Sequence, residues 1–207
     1  MSTLGAAAKR SFDVALSGAG LIVSAPLWAL IAAAIKAESP GPVFFTQVRV
    51  GEQGRTFDAL KFRSMIAEAE RDVGPVQAAE HDPRITRVGS VLRATAMDEL
   101  PQLWNVFLGD MSFVGPRALR PDEPQPRAFG HPLSIQSVPG YLERSSVRPG
   151  LTGLAQIYAP RDVLRRQKFR YDCLYVRRRS FGLDLCLIAL SFWITARGTW
   201  ETRGRKF

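Results

Sequence analysis

A chain of 207 residues with 46% hydrophobic residues is long enough for one packed domain and too short for two comfortable ones, so a single body with an appendage is expected. Lys and Arg number 28 against 19 Asp and Glu, a formal net charge of +9, which points to an anionic partner such as nucleic acid, a phosphorylated metabolite or acidic lipid headgroups. Cys173 and Cys186, with no CxxC spacing and only two histidines, argue against a disulfide framework or a zinc site, and read as free thiols, buried or lipid-facing, in a reducing compartment.

The appendage comes first. Residues 14–35, VALSGAGLIVSAPLWALIAAAI, run 22 positions without a charge, which is membrane length. Small residues recur throughout and basic sequence resumes directly afterwards, unlike a cleaved signal peptide. Pro26 near the middle, and Lys9, Arg10 and Lys36 on the flanks, fit a helix broken at Pro26 that dips into one leaflet and returns. Ser24 is placed to recover the hydrogen bond that proline removes. A kinked spanning helix fits these residues equally well.

Beyond residue 38, Val43–Val50 and Thr56–Phe62 have strand composition and are joined by Gly51-Glu52-Gln53-Gly54, which predicts a hairpin. Lys61 and Arg63 project to one side if the second strand continues. Residues 81–97 predict a turn and a short helix capped by Thr86, carrying Arg87 and Arg93. Leu100, Leu103, Trp104 and Phe107 occupy i, i+3, i+4 and i+7 of a further helix that Gly109 stops. Between 116 and 140, Pro116, Pro121, Pro124, Pro126, Pro132 and Pro139 exclude a long regular element and predict a loop or lid. Residues 147–157 read as a glycine-punctuated turn and a short strand, and 161–180 as a basic amphipathic helix. Residues 181–198 are apolar but interrupted by Asp184, so the tail is expected as helices on a membrane surface.

Asp98 and Glu99 stand directly before Leu100-Pro101. Proline is tolerated in a helix's first turn, so Pro101 predicts a start near Met97 or Asp98 and places Asp98 at a helix N-terminus, where free N–H groups keep a carboxylate ionised. A Thr95-x-x-Asp98 capping box competes with this but sets Pro101 too deep. An acidic pair in a first turn is by itself ordinary capping. The neighbouring arginines change the weighing: Arg93 lies upstream, and Arg117 sits on a Gly-Pro turn of the kind that clamps phosphates. A carboxylate facing phosphates calls for a divalent cation between them.

KRSFD (9–13), the prolyl membrane segment, FFTQVRVGEQGRTFDALKFRSM (44–65), DELPQLWNVFLGDMSFVGPRAL (98–119) and RPGLTGLAQI (148–157) together resemble the bacterial sugar transferase family, in the same order and over nearly the whole chain. These are small monotopic polyprenyl-phosphate phosphoglycosyl transferases. The resemblance implies an α/β membrane-associated fold. A re-entrant membrane helix would occupy 1–38, and a cytoplasmic catalytic domain 39–207, with a β-hairpin, short helices and C-terminal amphipathic surface helices. It resolves the topology in favour of the dip, with the break at Ser24 and Pro26.

The activity implied is transfer of a sugar 1-phosphate from a UDP-sugar to undecaprenyl phosphate, with release of UMP, as the initiating step of glycoconjugate assembly. Asp98 would be the nucleophile and a ligand of Mg²⁺, with Glu99 assisting the metal site or proton handling. Arg93, Pro116, Arg117, Lys61, Arg63 and Arg148 would contact phosphate or uridine. The expected location is the cytoplasmic face of the bacterial inner membrane, in contact with membrane lipids. No nucleic acid is expected as a partner, and a homo-oligomer is compatible with the sequence. Two positions depart from the family pattern. Ala25 precedes Pro26 where a serine is usual, and Ala118 stands at the second proline of a Pro-Arg-Pro motif. A catalytically inactive membrane scaffold of the same fold is the alternative.

Overall fold

The computed structural model describes residues 3–67, 69, 82–121, 134–160 and 163–200. Its first element, α1 (Thr3–Glu38), is a single helix with Pro26 inside it. Among the described residues it is the one helix long and apolar enough to cross a membrane. One stripe faces the rest of the protein and buries Asp13, Ser17, Ile31 and Ile35. The opposite face leaves Ile22, Val23 and Leu30 at 78%, 80% and 69% exposed. This division, apolar on both sides and packed on only one, suits a second apolar environment outside the body.

Both ends of α1 are fastened to that body. Lys9 pairs with buried Asp184 at 2.7 Å, and the Phe113 N–H donates to Asp13 Oδ1 at 3.2 Å. At the far end the Glu38 carboxylate accepts from the N–H groups of Arg87 and Val88 at 2.6 and 2.9 Å. The chain stays helical through Pro26, so the expected break is not an interruption of the helix. Ser24 does not supply the expected compensation, because its Oγ is buried without a hydrogen-bond partner. The reason is geometric: a helical serine reaches the carbonyls three and four residues back, which for Ser24 are Leu21 and Gly20, whereas Pro26 frees that of Ile22.

The hairpin forms as expected. β1 (Phe44–Val50) pairs antiparallel with β2 (Thr56–Phe62), with Phe45 opposite Lys61, Gln47 opposite Ala59 and Arg49 opposite Phe57. Phe44, Phe62 and Trp28 form an aromatic group that seats the hairpin on α1. Next comes α2 (Arg87–Ala94), whose N-cap Thr86 accepts from Gly89 N–H at 2.9 Å. Ala96 then adopts a left-handed conformation (φ 55°), and residues 97–99 form a single 3₁₀ turn. Pro101 caps α3 (Gln102–Leu108) instead of lying within it. The helix therefore starts later than the sequence suggests, and Asp98 and Glu99 precede it. The capping-box reading fails as well, because Thr95 ends α2 and turns its hydroxyl back to Val91 O. Gly109, at φ 104°, ends α3 as expected.

Two three-residue strands, β3 (Ser112–Val114) and β4 (Gly150–Thr152), pair in parallel. Between them lies the short helix α4 (Tyr141–Arg144). Pro124, Pro126 and Pro132 of the predicted loop fall outside the described residues. After β4 the chain enters α5 (Leu154–Tyr158), where a strand was expected to continue. The tail is α6 (Arg165–Arg178) and α7 (Phe181–Arg197). Neither is only a surface helix, since Phe169, Cys173, Tyr175, Leu187 and Ile194 are all buried. Asp184 does not interrupt α7. It sits in the first turn, where an acid is favoured, and receives both Lys9 and the Tyr175 hydroxyl (2.8 Å). Cys173 is buried and Cys186 exposed, both as free thiols.

Candidate active site

The 97–99 turn owes its position to the residues on either side of its carboxylates. Met97 and Leu100 pack into the cluster formed by Ile31 and Ile35 of α1 with Phe62 and Leu92, so the acidic pair rests on a floor that α1 helps to build. Asn105 of α3 ties this floor to the hairpin. Its Oδ1 accepts from Leu60 N–H at 3.0 Å, and its Nδ2 donates to Asp58 O at 2.8 Å. That bridge sets Lys61 beside the turn.

Four charges meet there. Lys61 Nζ lies 2.5 Å from Glu99 Oε1 and 3.9 Å from Asp98 Oδ2, and Arg117 Nη2 reaches the same Glu99 oxygen at 2.9 Å. The two carboxylates experience different fields. Burial pushes Asp98 up to about 6, with Lys61, Arg93 and Arg117 opposing and Glu99 adding to the rise. Burial works against ionisation of Glu99 too, but Arg117 and Lys61 outweigh it and hold that carboxyl well below the usual range. Glu99 is thus a fixed anion that organises two cations and suits proton exchange poorly. Asp98 is held more loosely, with Lys61 Nζ 3.9 Å from its Oδ2.

The other expected site residues divide. Pro116 and Arg117 lie on the segment after β3, and Arg117 is half-exposed with its tip on Glu99. Arg93, on α2, is near enough for its charge to act on Asp98. Arg63 is elsewhere: it is buried and donates to the carbonyls of Pro40 and Ser39 at 2.6 and 2.8 Å. Because β2 ends at Phe62, the alternation that would have put Arg63 on the Lys61 face stops one residue early. Arg148 is half-exposed and faces Glu52 at 3.7 Å, not the acidic pair.

The chain matches the model of the bacterial sugar transferase family over residues 4–198. It belongs to that family. Among its relatives is a UDP-glucose:undecaprenyl-phosphate glucose-1-phosphate transferase of Klebsiella pneumoniae, 44% identical over 88% of this chain and 39% of the relative. An exopolysaccharide production protein of Rhizobium leguminosarum bv. phaseoli is 41% identical over 87% of this chain and 90% of that protein. A UDP-N-acetylgalactosamine-undecaprenyl-phosphate N-acetylgalactosaminephosphotransferase of Aeromonas hydrophila is 40% identical over 87% of this chain and 41% of its own length. The chain thus spans well under half of the first and third of these sugar transferase relatives.

Two members of the site were not singled out by sequence reasoning. Gln102 is buried at the start of α3, and Arg49 of β1 lines the cleft beside Lys61, Glu99 and Arg117. Arg49 was legible in principle, since the hairpin register puts residues 45, 47 and 49 on the face of 57, 59 and 61. Among the described residues no group of three or more His, Cys, Asp or Glu side chains gathers to hold a metal, so a magnesium ion here would draw most of its ligands from substrate and solvent. Mg²⁺ takes hard oxygen ligands, commonly one or two carboxylates completed by substrate phosphates. Asp98 offers such a carboxylate, whereas Glu99 is engaged by two cations.

Proposed function

We propose that this chain transfers a sugar 1-phosphate from a UDP-sugar to undecaprenyl phosphate, with UDP-glucose the first sugar nucleotide to try. The sugar choice rests on the relative from Klebsiella pneumoniae, which is named for UDP-glucose. The observation that carries the reading is the asymmetry of the acidic pair. Asp98 has only the longer 3.9 Å approach of Lys61, and it lies beside a Glu99 held at closer range by both Lys61 and Arg117.

In this mechanism an Asp98 carboxylate oxygen attacks the phosphorus that bears the sugar. The bond from that phosphorus to the UMP oxygen breaks, and UMP leaves. An oxygen of undecaprenyl phosphate then attacks the same phosphorus, the bond to Asp98 breaks, and the product is a polyprenyl diphosphate sugar. Two steps let one carboxylate serve two bulky anions in turn. Lys61, Arg93 and Arg117 supply positive charge where phosphoryl oxygens gather it, and Glu99 fixes the first and third of these. Asp98 would hold a Mg²⁺ ion, whose contribution when bound is to neutralise diphosphate charge.

The lipid substrate calls for a site at headgroup level. We read α1 as a re-entrant anchor on the cytoplasmic face of the bacterial inner membrane, an interpretation supported by both of its ends being fastened to one body while its outer face stays apolar. In a Cys186→Ser background, single cysteines at Gly5 and Ala37 should then react with an impermeant thiol reagent from the same side of the membrane, and reaction from opposite sides would refute the dip. The activity itself is tested by UMP release from UDP-glucose with Mg²⁺ and undecaprenyl phosphate. Release by the wild type and none by Asp98→Asn supports transfer at this site. Equal release by both would remove Asp98 from the chemistry, and none by either, across a panel of UDP-sugars, would favour the inactive scaffold.

A further inference from the structure

Arg117 is a long side chain asked to hold a defined place, and its backbone is held by an unusual set of hydrogen bonds. Four consecutive carbonyls each accept a hydrogen bond, from donors on β4, on α4 and, twice, on β1. Gly150 N–H donates to Pro116 O at 2.9 Å and Val50 N–H to Leu119 O at 2.8 Å. Between them, Arg144 Nη2 donates to Arg117 O at 2.6 Å and Arg49 Nη1 to Ala118 O at 3.0 Å.

The two outer bonds are backbone pairings of the kind any strand makes. The two inner ones are chosen by side chains. Arg144 is 3% exposed, its Nε donates to Asp172 at 2.8 Å, and its guanidinium lies 4.6 Å from the centre of the Phe169 ring. Such a fork, planar and held on three sides, has little freedom to follow a shifting carbonyl. Arg49 approaches from the hairpin, where its other amine is engaged by the Gln47 side chain. Upstream the segment is held as well: Gly115 N–H donates to Thr152 O at 2.9 Å, and the chains run so close that a Cβ on Gly115 would stand 2.4 Å from Arg148 O. A half-exposed guanidinium therefore projects from a backbone bonded at every carbonyl from Pro116 to Leu119.

We propose that Arg49 and Arg144, the latter oriented by Asp172, are positioning residues for Arg117, fixing its peptide units so that its guanidinium is aimed at Glu99 and at the diphosphate of the sugar nucleotide. This rests on the reading of Arg117 as a UDP-sugar contact. Neither arginine needs to touch substrate for this: Arg144 acts through a carbonyl of the segment, and Arg49 through a carbonyl and through its charge on Glu99. Small displacements of such a clamp weaken binding steeply, because forked hydrogen bonds to a phosphate depend on direction as well as distance.

The test is a mutant cycle. Arg49→Gln and Arg144→Lys are made alone and on an Arg117→Ala background. UDP binding is followed by calorimetry, KM and kcat by UMP release, and folding by thermal melting. Each single change is expected to raise the UDP Kd and the UDP-glucose KM by about three- to tenfold, to lower kcat by no more than Arg117→Ala does, and to leave the KM for undecaprenyl phosphate within about twofold of wild type. On the Arg117→Ala background the same changes should weaken UDP binding no further. Full additivity on that background, or parallel loss in kcat and both KM values, overturns the proposal. Arg49→Gln, at the half-buried end of the hairpin, keeps the comparison readable if melting shows that Arg144→Lys has lost the fold. Wild type that binds UDP but releases no UMP refutes the transfer reaction and leaves the Kd cycle to judge positioning. Wild type that binds no UDP overturns both.

Discussion

The two halves of the candidate site are built in different ways. The 97–100 turn is held by packing, with Met97 and Leu100 in an apolar cluster with Ile31, Ile35, Phe62 and Leu92. The Arg117 segment is held by hydrogen bonds, one to each carbonyl from Pro116 to Leu119. Packing is non-directional, which would suit the proposed nucleophile if it meets two substrates in succession. Hydrogen bonds fix direction, which would suit a cation with the proposed role of recognising one diphosphate. The contrast also sets the role of α1. Its inner stripe is part of the floor under Asp98, so the segment proposed to enter the membrane is at the same time a wall of the site.

The contrast can be broken from either side. The largest stability loss is expected for Asp172→Ala, which leaves Arg144 buried without its carboxylate and should cost about 3–5 kcal/mol in denaturant unfolding. On the packing side, Ile35→Ala removes a side chain that is 2% exposed, and should cost about 2–5 kcal/mol. It should lower kcat more than it raises the KM for UDP-glucose, because the floor it disturbs carries Asp98. Thr86→Ala removes the N-cap of α2 for about 1 kcal/mol, visible as a shift in melting temperature. Smallest in stability is Leu30→Asn on the outer face of α1, which should leave the melting temperature in detergent within error while weakening vesicle binding. Unchanged vesicle binding would return that face to ordinary surface.

The packed half was largely legible in the sequence and the hydrogen-bonded half was not. Apolar spacing marked α3, Gly109 marked its end, Thr86 capped α2 and strand composition marked the hairpin, because each is a local consequence of side-chain chemistry. The start of α3 was misplaced because Ala96 turns left-handed at φ 55°, a conformation that nothing about alanine announces. β3 and β4 are too short to show a period, so the parallel pair that presents Pro116 could not be seen. Arg63 resembled a site residue only while β2 was imagined to run past Phe62. Arg49 and Arg144 act on carbonyls, which every residue possesses, so no residue type at the receiving end could reveal them.

The most direct test of the account is to look for the covalent adduct on Asp98. The protein is incubated with UDP-glucose and Mg²⁺ without lipid, quenched, and weighed intact and as peptides by mass spectrometry. Covalent transfer through Asp98 predicts a gain of one hexose phosphate on the peptide containing Asp98, lost when undecaprenyl phosphate is added before the quench and never formed by Asp98→Asn. UMP released only when the lipid is present, with no adduct trapped at any time, would mean direct transfer between the two substrates and would contradict it.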